Sequence, residues 1–318
     1  MTILTTQVPE HLAGMRLDQC LAEVFPDYSR SKLQTWIKAG RVTVNGAQLR
    51  GRDKLDGGEI IALDAEADVV IEDAAEDIPL DIIHEDDSLI IINKPAGLVV
   101  HPAVGNWHGT LVNALLAHAP HLNTLPRAGI VHRLDKDTSG LLMIAKTQQA
   151  HTSLVEQLQE RSIEREYLAL VKGWMTAGGT VDEPIGRHPV DRKRNAVRRD
   201  GKEAVTHYRL ERRFKRHTLI RVQLETGRTH QIRVHMTHIG YPLVGDLTYG
   251  GRFQMPADCN PELAAAFRSF RRQALHAARL GLEHPETGDY HEWQQPMPDD
   301  MQHLIALLAA NEHELDHT

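Results

Sequence analysis

Two cysteines, Cys20 and Cys259, are all that the 318 residues contain, too few and too far apart for a disulfide framework or a Cys-x-x-Cys metal knuckle. A reducing compartment, the cytoplasm, is the expectation. No stretch approaches the roughly 18 apolar residues that span a bilayer, and residues 1–14 lack the basic start and apolar run of a secretory leader. No membrane partner is expected. Gly-x-Gly-x-x-Gly, the Walker phosphate loop and His-Glu-x-x-His are all missing, so neither a nucleotide cofactor nor a catalytic zinc has a visible cradle. What remains, 41% apolar and 25% charged residues, is an ordinary globular composition with length for about two domains at roughly 150 residues each.

The net charge of −7 argues against a nucleic-acid partner only as an average. Residues 55–93 hold thirteen acids and no Lys or Arg, whereas residues 187–233 hold fifteen Lys and Arg against five acids. Arginine concentrated in one stretch of an acidic chain points to a phosphate-facing surface, because guanidinium forks match phosphate oxygens. Solvated surface charge is the plainer reading, and the cluster Arg192-Lys193-Arg194 with Arg198-Arg199 also reads as a loop that orders on a partner.

Ahead of the acidic stretch lies a compact module expected over residues 13–72. Apolar residues at 17, 20, 21, 24 and 25 have helical spacing, and Ser29 followed by Leu33, Trp36 and Ile37 reads as a second capped helix ended by Gly40. Residues 41–46 alternate into an Asn-Gly turn, and residues 59–63 supply another strand. Residues 15–54 carry eight Lys and Arg against four acids. The run of charge and little periodicity that follows, with Pro79 at its end, reads as an acidic linker whose core is residues 73–79.

The second part, residues 80–318, shows strands at 89–93, 141–145 and 166–171, hairpins at 206–225 and 280–293, and helices at 110–117, 150–160, 230–239, 261–275 and 299–310. Hairpin-joined strands with irregularly inserted helices indicate an α+β fold built on a mixed, mainly antiparallel sheet with flanking helices.

The chemistry concentrates in residues 129–140, Gly-Ile-Val-His-Arg-Leu-Asp-Lys-Asp-Thr-Ser-Gly, immediately before a core strand. A carboxylate on such a turn is rigid yet accessible, suited to a nucleophile or general base. Taken alone, Asp135 or Asp137 with Thr138 and Ser139 also makes an Asx-turn. Asp135-Lys136-Asp137-Thr138 nearly matches an Asp-x-Asp phosphotransferase signature, but His132 and Arg133 interrupt the apolar strand that such enzymes place before the first Asp. His101, His132, His230, His235 and His238 do not make a metal site, because no helical His pair has a third ligand near it. Lys94 is left without a role at this point.

His132-Arg133-Leu134-Asp135 with Thr138-Ser139-Gly140 resembles the catalytic motif of the RluA-type pseudouridine synthases. Residues 93–101, Asn-Lys-Pro-Ala-Gly-Leu-Val-Val-His, match their first motif, Arg165-Glu166-Tyr167 their tyrosine motif, and residues 226–233, Thr-Gly-Arg-Thr-His-Gln-Ile-Arg, their third. The first module is similar to the S4 RNA-binding domain through Arg16-Leu17-Asp18, Ser29-Arg30-Ser31 and residues 40–46, with Arg30, Lys32 and Arg41 facing an RNA backbone. The resemblance implies isomerisation of uridine to pseudouridine in RNA, a large-subunit ribosomal RNA stem-loop, by a monomer with no cofactor, metal or nucleotide. In it Asp135 is the catalytic carboxylate and Arg228 pairs with Asp135, keeping it ionised. Tyr167 and Ile232 flank the flipped uracil, Arg133 fills the vacated stack, and His132 joins the substrate-side residues.

Overall fold

The computed structural model describes residues 2–25, 28, 30–65, 74–102, 106–191, 194–251, 255 and 259–316, with only the backbone described at residues 2, 30–32, 65 and 312–316. The chain divides into two compact units, Met1–Glu72 and Asp73–Thr318.

The first unit contains β1 (Thr2–Gln7), α1 (Leu17–Val24), α2 (Arg30–Lys38), β2 (Val42–Val44) and β3 (Ile60–Ala65). The helical spacing of Leu17, Cys20 and Leu21 becomes one buried face, packed with Leu33, Trp36, Val42, Val44, Ile61 and Leu63. β2 runs into Asn45 and Gly46, both at positive φ, the backbone that a tight hairpin turn requires and Asn-Gly tolerates. The sheet order is β1-β3-β2, so the unit begins before residue 13. β1 pairs with β3 along its whole length but has no alternation strong enough to announce it.

The second unit is organised around one sheet. Its elements are β4 (Ile82–Glu85), β5 (Leu89–Lys94), α3 (Leu111–His118), β6 (Ser139–Ala145), α4 (Gln148–Glu160), β7 (Glu164–Lys172), β8 (Gly179–Asp182), β9 (Ile185–Arg187), β10 (Asn195–Val197), β11 (Val205–Phe214), β12 (His217–Leu224), α5 (Gln231–His238), α6 (Pro261–Ser269), β13 (Leu275–Glu283), β14 (Tyr290–Gln294) and α7 (Asp299–Asp316). Strand order is β4-β5-β6-β13-β7-β12-β11-β8, with β14 on β13 and a separate β9-β10 pair. Every pairing is antiparallel except β13 with β6, which confirms a mixed, mainly antiparallel sheet with flanking helices.

The acidic run is not a free tether over its described part. The Asn113 side chain donates to the Ala74 carbonyl, and the Glu76 carboxylate takes the Gly109 amide, so residues 74–76 belong to the second unit. The helix expected over 261–275 stops at Ser269, and residues from Leu275 onward enter the sheet as β13.

Both faces of the sheet are covered, which is why its strands read as unbroken apolar runs. Ile90, Ile92, Leu142, Ile144, Tyr167, Ala169, Ile220 and Val222 share one core with Leu115 of α3 and Ile232 of α5. Leu89, Ile91, Leu141 and Met143 pack on the opposite face against Ala150 and Leu154 of α4. The parallel β6–β13 contact holds only because residue 140 is glycine: its φ is +113°, and a Cβ there would sit 2.2 Å from the Ala277 carbonyl oxygen. That contact fixes where the loop before β6 emerges from the sheet.

Candidate active site

Residues 131–138 form an irregular segment leading into β6, and it is tied down from several directions. Leu134 is buried in the main core, and the Thr138 amide donates to the Asp135 carbonyl at 3.1 Å. Gln273 Nε2 donates to Thr138 Oγ1 at 3.0 Å, and Ser139 Oγ bonds His276 Nδ1 at 3.0 Å. Lys94 acquires its role here. Its ammonium, fully buried, donates to the carbonyls of Pro95, Leu98 and Lys136 at 2.8, 3.0 and 2.9 Å, clamping the first motif to the Asp135 loop. Burial pushes its pKa down to about 8, against the pull of Asp137 and Asp135.

The Asp135 side chain is 16% exposed and faces α5. Its Oδ2 accepts from Arg233 Nη1 at 2.9 Å. Arg233 is itself clamped by Asp246, with Nε to Oδ2 at 2.7 Å and Nη2 to Oδ1 at 2.9 Å. Asp246 Oδ1 also takes the amides of Thr248 and Tyr249, so the second carboxylate is anchored by backbone. Burial opposes the Arg233 charge, but the hydrogen bond to Asp246 and the charges of both carboxylates outweigh it and raise the guanidinium pKa above its ordinary value.

This corrects the sequence expectation for Arg228. That residue is exposed in the turn before α5, and its Nε donates to the Glu203 carbonyl at 2.9 Å. The two arginines of the third motif are five residues apart, and only Arg233 lies inside the helix, whose residues Gln231, Ile232, Val234, His235 and Met236 are buried all round it. A charge buried in that helix needs counter-charges, and the Asp135 and Asp246 carboxylates supply them. The turn is knotted by Gln231, whose Oε1 takes the Arg228 amide and the Thr226 hydroxyl while Nε2 donates to the Val205 carbonyl.

Tyr167 lies mid-strand in β7, opposite Val222 on one side and Ala277 on the other. It shares the main core with Ile232 and Leu134. Burial pushes its phenol pKa up, Arg165 pulls it down, and Asp135 adds to the rise, which places the hydroxyl within the field of the Asp135 carboxylate. Arg165 is buried two residues earlier on the same strand face. Its Nη2 is 3.3 Å from the Glu225 carbonyl, and Nε has no partner among the described residues. A Cβ at Gly227 would come within 2.9 Å of Arg165 Nη1, so the guanidinium packs directly against the glycine of the third motif.

The remaining expected residues divide. Arg133 is exposed beside Asp135. After burial, its charge is among the influences that lower the His101 pKa to about 4 and that lower the pKa of His230, so it lies near both imidazoles. His132, expected among the substrate-side residues, is instead turned toward β6: Nε2 accepts the Met143 amide at 3.1 Å, and burial with the Arg165 charge pushes its pKa down to about 3. It is a neutral prop for the strand. In the first unit Arg41 forms a loose pair with Asp64 at 3.8 Å. The side chains of Arg30 and Lys32 lie outside the described residues, as do Arg192 and Lys193.

Three residues of the site had no catalytic or substrate role in the sequence reading: Asp246, Tyr249 and His230. The His230 ring sits with Nε2 3.8 Å from Asp135 Oδ1 and Nδ1 2.8 Å from the Tyr249 hydroxyl. The guanidiniums of Arg233 and Arg194 lie over the Tyr249 ring, 5.0 and 5.1 Å from its centroid. Among the described residues, no group of three or more His, Cys, Asp or Glu is placed to hold a metal ion, and no helix is long and apolar enough to cross a membrane.

Comparison with known proteins shows what the whole chain is similar to. A family profile described as RNA pseudouridylate synthase matches residues 88–238, and an S4 domain profile matches residues 15–61. The ribosomal large subunit pseudouridine synthase D of Pseudomonas aeruginosa is 57% identical, across 95% of this chain and 94% of that protein. The enzyme of the same name from Salmonella typhimurium is 55% identical, across 97% and 95%. Among solved structures, human RNA pseudouridylate synthase domain containing 4 is similar with a TM-score of 0.56 and 25% identity, covering 72% of this chain and 92% of that one.

Proposed function

From the premise that this chain belongs to the RNA pseudouridylate synthase family, with an S4 domain ahead of its catalytic unit, we propose that it isomerises specific uridines of large-subunit ribosomal RNA to pseudouridine. The observation that carries the reading is the Asp135 carboxylate, clamped through one oxygen by Arg233 at 2.9 Å and left with its other oxygen facing the site.

The net reaction breaks N1–C1′, forms C5–C1′ and moves one proton from C5 to N1. It needs a group at the ribose, a surface to hold the detached uracil and a proton acceptor, and it consumes no redox equivalent or phosphate donor. Asp135 supplies the first, by attack at C1′ or by taking the neighbouring ribose proton. Arg233 favours the ionised carboxylate and aims it. Tyr167 and Ile232 supply apolar faces for the base, and the Tyr167 hydroxyl, kept protonated by burial, can relay the C5 proton by accepting it as it passes its own proton on toward N1. Arg133, with no hydrogen bond or ion pair among the described residues, is free to enter the stack that the flipped uridine leaves.

The S4 unit and the basic stretch at 187–233 bind RNA backbone, so affinity falls with salt. We further propose that the protein works in the cytoplasm as a monomer, without metal or nucleotide. The test is to incubate large-subunit RNA transcripts with the protein in chelator and map pseudouridine by carbodiimide modification and primer extension. Discrete new stops are expected; none at any uridine would overturn the reading.

A further inference from the structure

The gap between His230 and Asp135 has a defined chemistry. Tyr249 is buried, and its hydroxyl accepts the Asn195 amide at 2.8 Å while lying 2.8 Å from His230 Nδ1. No other partner for that hydroxyl exists among the described residues. A buried phenolic proton takes an acceptor, so it goes to Nδ1, and the imidazole carries its own proton on Nε2. Burial also lowers the His230 pKa, with Asp135 and Asp246 opposing and Arg233 and Arg133 assisting, which keeps the ring neutral.

His230 holds this pose from a left-handed backbone, φ +60°, at the position preceding α5. Side chains rarely adopt that conformation, and such departures collect at functional sites. The result is a donor, Nε2–H, and an acceptor, Asp135 Oδ1, 3.8 Å apart. The distance is too long for a hydrogen bond between them, and Oδ2 is already taken by Arg233. One oxygen seated about 2.8 Å from each atom would satisfy both, provided that it accepts from the imidazole and donates to the carboxylate. Phosphate and carbonyl oxygens only accept, and amide nitrogens only donate. Within an internal nucleotide, the group that does both is the ribose 2′-hydroxyl.

We propose that His230, its tautomer set by Tyr249, and Asp135 together form a binding position for the 2′-hydroxyl of the target nucleotide, making His230 a specificity-determining residue for RNA. The inference rests on the uridine-isomerising reading above. It also gives the carboxylate a fixed station beside the ribose carbons on which that reading has it act.

The experiment is a cycle of single-turnover tritium release from two RNAs, one with ribose and one with 2′-deoxyribose at a single C5-tritiated target, using wild type, His230→Asn and Tyr249→Phe. Asn tolerates left-handed backbone but is too short to reach. The expected result is a ribose preference that falls by about tenfold or more in His230→Asn, the effect of one hydrogen bond whose partner is lost, and by a smaller factor in Tyr249→Phe. Slowing of His230→Asn by the same factor on both RNAs overturns the inference. Absence of release by wild type from the all-ribose RNA would instead overturn the reading on which it rests.

Discussion

Arg233 is the residue through which Asp135, the proposed catalytic carboxylate, is tied to the fold. It joins Asp135 to Asp246, whose side chain has no exposure at all, and a buried ion pair that loses one partner costs about 3–5 kcal/mol because the other charge stays behind. Arg233→Met is therefore expected to lower unfolding stability by that amount and abolish the isomerisation, with Arg233→Lys folded but at least about a hundredfold slower, since one ammonium cannot reproduce the fork. Arg228→Met removes a single hydrogen bond to the Glu203 carbonyl and is expected to cost about 1 kcal/mol or less, with single-turnover rates within about threefold of wild type. Urea unfolding and single-turnover assays separate the two; greater sensitivity at 228 than at 233 would contradict the assignment. The sequence motif held both arginines, and nothing in their spacing says which faces inward. That distinction depends on where α5 begins and which of its faces is buried, and both are tertiary facts.

At the scale of elements, the Asp135 loop is as rigid as its attachments to β5, β6 and β13. Lys94 ties it to the end of β5, Gln273 approaches from just before β13, and His132 Nε2 holds the Met143 amide of β6. The last attachment makes a pH prediction. His132 titrates near 3 in the folded protein, against about 6.5 for an unperturbed imidazole. Between those values the unfolded chain binds the extra proton, so the contribution is complete above pH 6.5 and is lost as pH falls toward 3. At pH 5 the loss is on the order of 1–2 kcal/mol, and His132→Gln is expected to flatten that part of the stability curve by thermal or urea denaturation. An unchanged slope in the variant would show that the ring is not buried neutral. Central strands were readable because both their faces are covered, giving runs such as Leu89-Ile90-Ile91-Ile92. Strands β8, β9 and β10 are three or four residues long and partly exposed, so they carry no run and were missed. The start of β13 was absorbed into the expected helix at 261–275, because apolar Phe267, Phe270 and Ala274 continue a helical spacing past the real end at Ser269.

Across the whole molecule, the charge layout was legible but overstated. Of the basic residues at 187–233, Arg198 pairs with Asp200, Arg221 pairs with Glu211 and Glu166, Arg213 donates to the carbonyls of Met175 and Thr176, and Arg233 lies inside the site. Composition counts these as surface charge, and only the fold reveals that they are occupied. The division into an S4 unit and a catalytic unit followed from the acidic run between them, although β1 lengthens the first and the described start of the run is bonded to the second. We propose that one carboxylate, set at the loop before the parallel β6–β13 contact, performs the chemistry without consuming any other reagent. The most direct measurement is tritium release from large-subunit RNA transcripts carrying C5-tritiated uridine, with wild type and Asp135→Asn compared in chelator and without nucleotide. That role for Asp135 requires release by wild type and none by Asp135→Asn, with RNA binding equal in the two. Release by both proteins, or by neither while both bind RNA, would contradict it.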